Sequence, residues 1–259
     1  VAVLRCVKAR DGQAGQSAGR DANEGCIGQP ARRPEIPVRH FIALLACAAA
    51  GIASPALAED GEARLQVKLL ATAVLPDGQI EEIETDLVGL PATTQTEAND
   101  NVVPTVAIEY FFSRAVSLET ICCATQHDVD ATAGLPGAEL VSDARVIPAT
   151  VTLKYHFNAG GVSPYIGAGP AYFLWIGEDP GAATVPLGVT DTDLSDELGF
   201  ALQAGIDVPL NERGLSLGLD AKRYFVDTTA RWYAGTAKVI ETEHKLDPWV
   251  LSAGLGMRF

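Results

Sequence analysis

Basic side chains are scarce in this 259-residue chain: 19 lysines and arginines stand against 33 acids, a net charge of −14. Nucleic-acid recognition needs a basic face to neutralise phosphate, so that function class is excluded. Cysteine is sparse as well. Five cysteines, with Cys122 and Cys123 adjacent, give neither a disulfide framework nor the ligand spacing of a zinc site. Helical periodicity is missing after Glu59. The 47% apolar share is that of a folded protein, neither a disordered chain nor a bundle of membrane helices.

Catalytic and metal-binding constellations are missing too. Beyond residue 58 the histidines are His127, His156 and His244, on separate segments with no metal-ligand spacing. His127 and Asp128 are adjacent, and adjacent side chains on a strand face opposite ways. Gly167-Ala168-Gly169 is followed by no helix whose dipole could hold a phosphate. No enzyme activity, metal site or cofactor is expected.

The N-terminal quarter has the organisation of an exported protein. Residues 1–37 are polar and show no periodicity, and they read as an upstream, unstructured segment. Residues 38–58 read as a signal peptide: Arg39 and His40, an apolar run from Phe41 to Ile52, and Ala56-Leu57-Ala58 as the cleavage site. The remaining domain, 59–259, holds 12 basic and 29 acidic side chains.

Within 59–259, period-2 alternation recurs in stretches near the ~10 residues of a membrane-barrel strand. Leu65, Val67, Leu69, Ala71 and Ala73 form one apolar face; Val106, Ile108, Tyr110 and Phe112 form the next. Val116 and Leu118 lead a third segment, and Val151, Leu153, Tyr155 and Phe157 a fourth. Tyr165 to Trp175 is a fifth, apolar on both faces, so its orientation stays open. Leu198 to Val208, Leu215 to Ala221 and Trp249 to Phe259 complete the set.

Long connections (76–102, 125–145, 176–195 and 227–247) alternate with short ones at 113–114, 158–163 and 211–214. Long loops outside and tight turns in the periplasm are the pattern of an outer-membrane barrel. The expected fold is therefore all-β: an eight-stranded antiparallel transmembrane β-barrel with long extracellular loops and short periplasmic turns. Glu109, Glu119, Lys154, Asp220, Lys222 and Arg258 lie between the apolar positions. That parity places them in the lumen, as a crossed network of charges. Aromatics near both ends of the strands predict two girdles at the bilayer interfaces. Tyr110, Phe112, Tyr155, Phe157, Tyr165 and Phe259 fall at the periplasmic rim; Phe173, Trp175, Phe200, Phe225 and Trp249 fall at the outer one.

Several segments also resemble the outer membrane protein W family. They are Ile147-Pro148-Ala149-Thr150 leading to Tyr155-His156-Phe157, Pro164 to Gly169, Asp227-Thr228-Thr229-Ala230, and Leu246-Asp247-Pro248-Trp249 through Arg258-Phe259. The resemblance implies a barrel in a Gram-negative outer membrane, with a narrow channel that helps small, mostly hydrophobic compounds across. It also implies a second use, as a structural or receptor barrel with a plugged lumen, since some members are colicin or phage receptors. The expected partners are outer-membrane lipids and lipopolysaccharide, a small hydrophobic solute, and the barrel-assembly machinery, which would read the terminal Phe259. Lys222 stands at an inward position where an apolar lining residue would suit a hydrophobic conduit.

Overall fold

The computed structural model describes residues 64–259, apart from Asn158. The expectations for residues 1–37 and 38–58 lie outside these residues. In chain order the described strands are β1 (Leu65–Leu75), β2 (Gln79–Asp86), β3 (Gln95–Ala98), β4 (Asn101–Phe111), β5 (Val116–Cys122), β6 (Thr125–Ala133) and β7 (Glu139–His156). They continue with β8 (Ser163–Pro180), β9 (Asp191–Leu194), β10 (Glu197–Pro209), β11 (Leu215–Phe225), β12 (Asp227–Ala234), β13 (Ala237–Lys245) and β14 (Trp249–Arg258).

Antiparallel ladders join β1, β4, β5, β7, β8, β10, β11 and β14 in that order, and β14 pairs back onto β1. The result is a closed eight-stranded barrel. Its burial is inverted relative to a water-soluble protein. On the outer wall Leu69, Val102 and Leu198 are 65%, 70% and 73% exposed, while Lys68, Glu109 and Lys154 inside are 2%, 0% and 1% exposed. Apolar side chains outside and polar ones inside are what a bilayer selects from a period-2 sequence.

The four long connections are not plain loops. They contain β2, β3, β6, β9, β12 and β13, plus a single 3-10 turn at Val185–Leu187. β2, β13, β12 and β9 make a four-stranded sheet, and β3 and β6 extend the barrel sheet beside the prolonged β7. Leu140, Val141, Leu194, Trp232 and Ile240 form an apolar core beneath this cap. The β12–β13 hairpin closes through Gly235-Thr236 between paired Ala234 and Ala237. Gly235 has φ 62, the positive value that the first residue of a two-residue hairpin turn demands. These strands escape a hydrophobic reading because they alternate charged with small residues, as in Glu241-Thr242-Glu243-His244-Lys245.

Candidate functional site

The lower half of the lumen is filled by charge. From β7, Lys154 Nζ lies 2.9 Å from Glu109 Oε2 on β4 and 2.8 Å from Glu119 Oε2 on β5. From β1, Lys68 Nζ lies 2.9 Å from Asp207 Oδ2 on β10 and 3.1 Å from Glu109 Oε2. From β11, Lys222 Nζ lies 3.1 Å from Glu119 Oε1 and 2.7 Å from Asp220 Oδ1. Each ammonium bridges carboxylates on different strands or at different levels, so the pairs cross the lumen instead of lining it. Buried ions cost several kcal/mol each unless they are paired and fully hydrogen-bonded. Neutral groups add further bonds, while Asp207 Oδ1 is buried with no hydrogen-bond partner among the described residues. Gln203 donates to Glu119 Oε1 at 2.8 Å and to Asp220 Oδ2 at 2.7 Å, and Thr152 donates to Gln203 Oε1. Ser117 donates to Glu109 Oε1 at 2.5 Å, with His156 Nε2 2.9 Å from the same oxygen.

Tyr165 is part of this cluster. Its hydroxyl donates to Asp220 Oδ2 at 2.9 Å, and Lys154 Nζ sits 3.7 Å from its ring centroid. Space for the ring comes from Gly205, its partner across the β8–β10 ladder. A Cβ at position 205 would stand 2.3 Å from the tyrosine oxygen.

Above the cluster the lumen changes character. Val74, Val146, Phe173, Tyr224, Leu246 and Val250 meet in an apolar core that reaches up toward the cap. The space between these walls and the cap is a narrow vestibule of about 60 Å3, lined also by Ile121, Cys123, His127, Trp175, Leu194 and His244. Its two histidines are neutral and fully bonded. His127 Nδ1 donates to the Asn99 carbonyl at 2.6 Å, and its Nε2 accepts from Thr125 at 3.0 Å. His244 Nδ1 faces the Gly78 carbonyl at 3.3 Å, and its Nε2 accepts from Thr242 at 2.6 Å. Burial lowers both pKa values, that of His244 to about 4.

One stretch of the barrel wall is unpaired at the level of the vestibule. β4 pairs with β1 all the way up to Asn101, but its ladder with β5 stops at Val106–Cys122. Among the described residues, β4 therefore has a strand partner on one side only between Asn101 and Thr105. Pro104, which lacks an N–H, sits in the middle of this segment, as prolines in sheets do beside an open edge. The gap is stitched shut above, where Asn101 Nδ2 donates to the Gln126 carbonyl and Asn99 N to the Asp128 carbonyl. What remains is a bounded window in the backbone pairing, with Val103 of β4 packed across it against Leu70, Ala107, Ile121 and Cys123. On its far side stand Cys123, Thr125 and His127, which line the vestibule.

Residues 60–259 match the profile of the OmpW family. The chain belongs to that family. It is 30% identical over 185 residues to the outer-membrane protein y4mB of Sinorhizobium fredii, covering 70% of this chain and 76% of that one. It is 25% identical to outer membrane protein W of Vibrio cholerae over 228 residues, 86% of this chain and 100% of the relative. Two solved structures share the fold. OprG of Pseudomonas aeruginosa is 23% identical with a TM-score of 0.64, covering 76% of this chain and 97% of its own. AlkL, in lipid bilayers, is 20% identical with a TM-score of 0.61, covering 76% and 90%. This OmpW-family barrel is an outer-membrane protein.

Five of the six charges placed in the lumen by strand parity, Glu109, Glu119, Lys154, Asp220 and Lys222, meet in one cluster. Arg258 is set apart from those contacts: its guanidinium lies over the Phe111 ring, 3.7 Å from the centroid, at the turn-side mouth. Lys68, Asp207, Gln203 and His156 belong to the cluster as well. Lys68 had a readable signal, since it lies between outward Val67 and Leu69.

The girdle expectations need correction on β8. Tyr165 and Phe173 are buried in the lumen, and Trp175 packs against both apolar cores from within. Glycine decides this orientation: Gly167 and Gly169 share the inward face, and only small residues there leave room for Lys154 and the Val151 carbonyl. Tyr155, Phe157, Phe112 and Trp249 are exposed on the outer wall, and Tyr110 is half-buried against Phe112 in an edge-to-face pair. Phe200 and Phe225 are exposed there as well. Phe259 is exposed at the seam, its N–H bonded to the Leu65 carbonyl at 2.6 Å.

Proposed function

We propose that this barrel admits small apolar compounds from the cell exterior into the vestibule and passes them sideways into the bilayer through the window beside Pro104. The charged cluster below acts as a plug. The observation that carries this reading is the layering of one lumen: an apolar chamber directly above seven paired, buried charges, with the unpaired stretch of β4 at the chamber's own level. An apolar solute gains by leaving water for the chamber. Moving further down would require it to displace ions whose partners would then be left unpaired in a poorly hydrated space, at several kcal/mol each. The sideways exit displaces no ion pair, because the window is bordered by apolar Val103, Pro104 and Cys123 and by the uncharged Thr105, Thr125 and His127.

The test is entry of n-octane into cells that do or do not carry the barrel, together with single-channel recording of the purified protein. Faster entry with little ion conductance is expected. Entry no faster than in cells without the barrel would refute the reading. That outcome would favour a surface-receptor role, for which the cap's sheet and its own apolar core provide a rigid platform.

A further inference from the structure

The window beside Pro104 is a slit with a stop in it. Its lower end is the Val106–Cys122 pair, where the β4–β5 ladder begins, and its upper end is the bond from Asn101 Nδ2 to the Gln126 carbonyl. Asn101 to Val106 spans about 17 Å at the usual rise of about 3.4 Å per residue. Val102 and Pro104 are exposed on the outer wall, while Val103 turns inward opposite buried Thr72 on β1. Its side chain packs across the opening against Leu70, Ala107, Ile121 and Cys123, and also against the apolar core of the vestibule. A β-branched side chain is stiff at χ1, so Val103 cannot fold away as an unbranched one could. The β1 ladder fixes its backbone from one side. Among the described residues the other side is looser: it has no ladder, Pro104 has no N–H, and the buried Thr105 hydroxyl has no hydrogen-bond partner. Widening the slit slightly there breaks no ladder bond. Displacing Val103 itself disrupts packing on two sides and the pairing with β1.

We infer that Val103 sets the width of the exit, so that the slit passes unbranched alkyl chains and holds back branched or cyclic compounds of the same carbon number. The inference rests on the sideways route proposed above. The resting vestibule, about 60 Å3, is well under the roughly 150 Å3 that houses one benzene, so a solute crosses only as far as the walls yield. An extended alkyl chain lying along the strand is one methylene wide over its whole length, and the small give on the unladdered side admits it. A quaternary carbon or a ring is wider at every approach and meets the Val103 methyl groups. Packed side chains resist such a guest, because even one extra methylene drives them off their preferred rotamers. Val103 is thus a specificity residue that discriminates by cross-section.

The experiment compares entry of n-octane and isooctane into cells carrying the full barrel, each rate taken above that of cells without it. In the wild type n-octane should enter at least about 10-fold faster, the low end of what one misfitting methylene costs in an apolar site. Val103→Ala removes the stop and should raise isooctane entry by about the same factor, with a far smaller rise for n-octane, so that the preference collapses. Leu198→Ala, which trims an exposed outer-wall residue on β10, should leave the preference as it was. Single-channel conductance of Val103→Ala should stay at the wild-type level, since the charged cluster below is untouched; a rise would mean that the variant has loosened the whole barrel, and the wild-type comparison then decides alone. Equal entry of the two compounds in the wild type overturns the inference whether or not the variant folds, and so does an undiminished preference in a well-inserted Val103→Ala barrel. In both cases the sideways route stands. If the wild type speeds neither compound, the route itself fails and this inference with it.

Discussion

Gly205 on β10 faces Tyr165 on β8, and the tyrosine ring occupies the volume a side chain at 205 would need. The pair fixes which way β8 faces and delivers a hydroxyl to Asp220 in the charged cluster. Gly205→Ala would put its Cβ 2.3 Å from the tyrosine oxygen and 2.5 Å from the Leu219 carbonyl, which is backbone and has little freedom to move. A loss of about 1–3 kcal/mol is expected, the usual cost of overpacking. Urea unfolding in bilayers measures it; an unchanged midpoint would show that the ring has another place to go.

The cluster makes a coupled prediction. Lys222→Ala leaves Glu119 and Asp220 short of a partner in a buried space, and should cost about 3–5 kcal/mol and raise ion conductance. Glu119→Gln together with Lys222→Ala should cost less than the two single changes added, because both remove parts of one contact. Strict additivity, with conductance still at the wild-type level, would count against a plug.

The cap should weaken in acid. His244 is buried neutral, with its pKa lowered to about 4 by the loss of hydration. Its unfolded value is about 6.5, so the unfolded chain binds a proton that the folded one does not as pH falls below that. Stability is therefore complete above about pH 6.5 and declines down to about pH 4, by on the order of 3 kcal/mol. His127 is shifted the same way by burial and adds to the effect. Melting curves at pH 7.5 and pH 5 should diverge for the wild type and diverge less for His244→Gln. Equal divergence would rule out His244 as a source.

Phe259 closes the seam, and its exposed ring ends an alternating strand. If the assembly machinery reads it, deleting Phe259 should lower the amount of inserted barrel far more than Phe225→Ala, another exposed outer-wall aromatic. Comparing heat-modifiable protein in outer-membrane fractions decides this; equal amounts would contradict it.

The barrel was legible in the sequence because a bilayer sorts side chains by strand parity more strictly than water does. Leu69 must face out and Glu109 must face in. Where that sorting is silent, reading fails. β8 is apolar on both faces, so Tyr165 and Trp175 could be oriented only by what lies across the ladder, namely Gly205 and the neighbouring strands. The cap strands face water and trade apolar residues for Thr, Glu and Lys, which makes them resemble loops until their pairing is seen. Cross-lumen partners such as Lys68 and Asp207 depend on how eight strands curl together, which no single strand encodes. The window beside Pro104 arises where β5 ends and β6 turns to β3, a feature of pairing and not of composition.

The central claim is that apolar solutes leave through that window. The most direct measurement joins its two sides: Pro104→Cys with Ala124→Cys, in a chain whose Cys122 and Cys123 are serine, bridged by a short bismaleimide. Entry of n-octane into cells should fall to the level seen without the barrel once the bridge forms, and remain at the wild-type rate in the untreated double-cysteine protein. Undiminished entry through the bridged barrel would contradict the account.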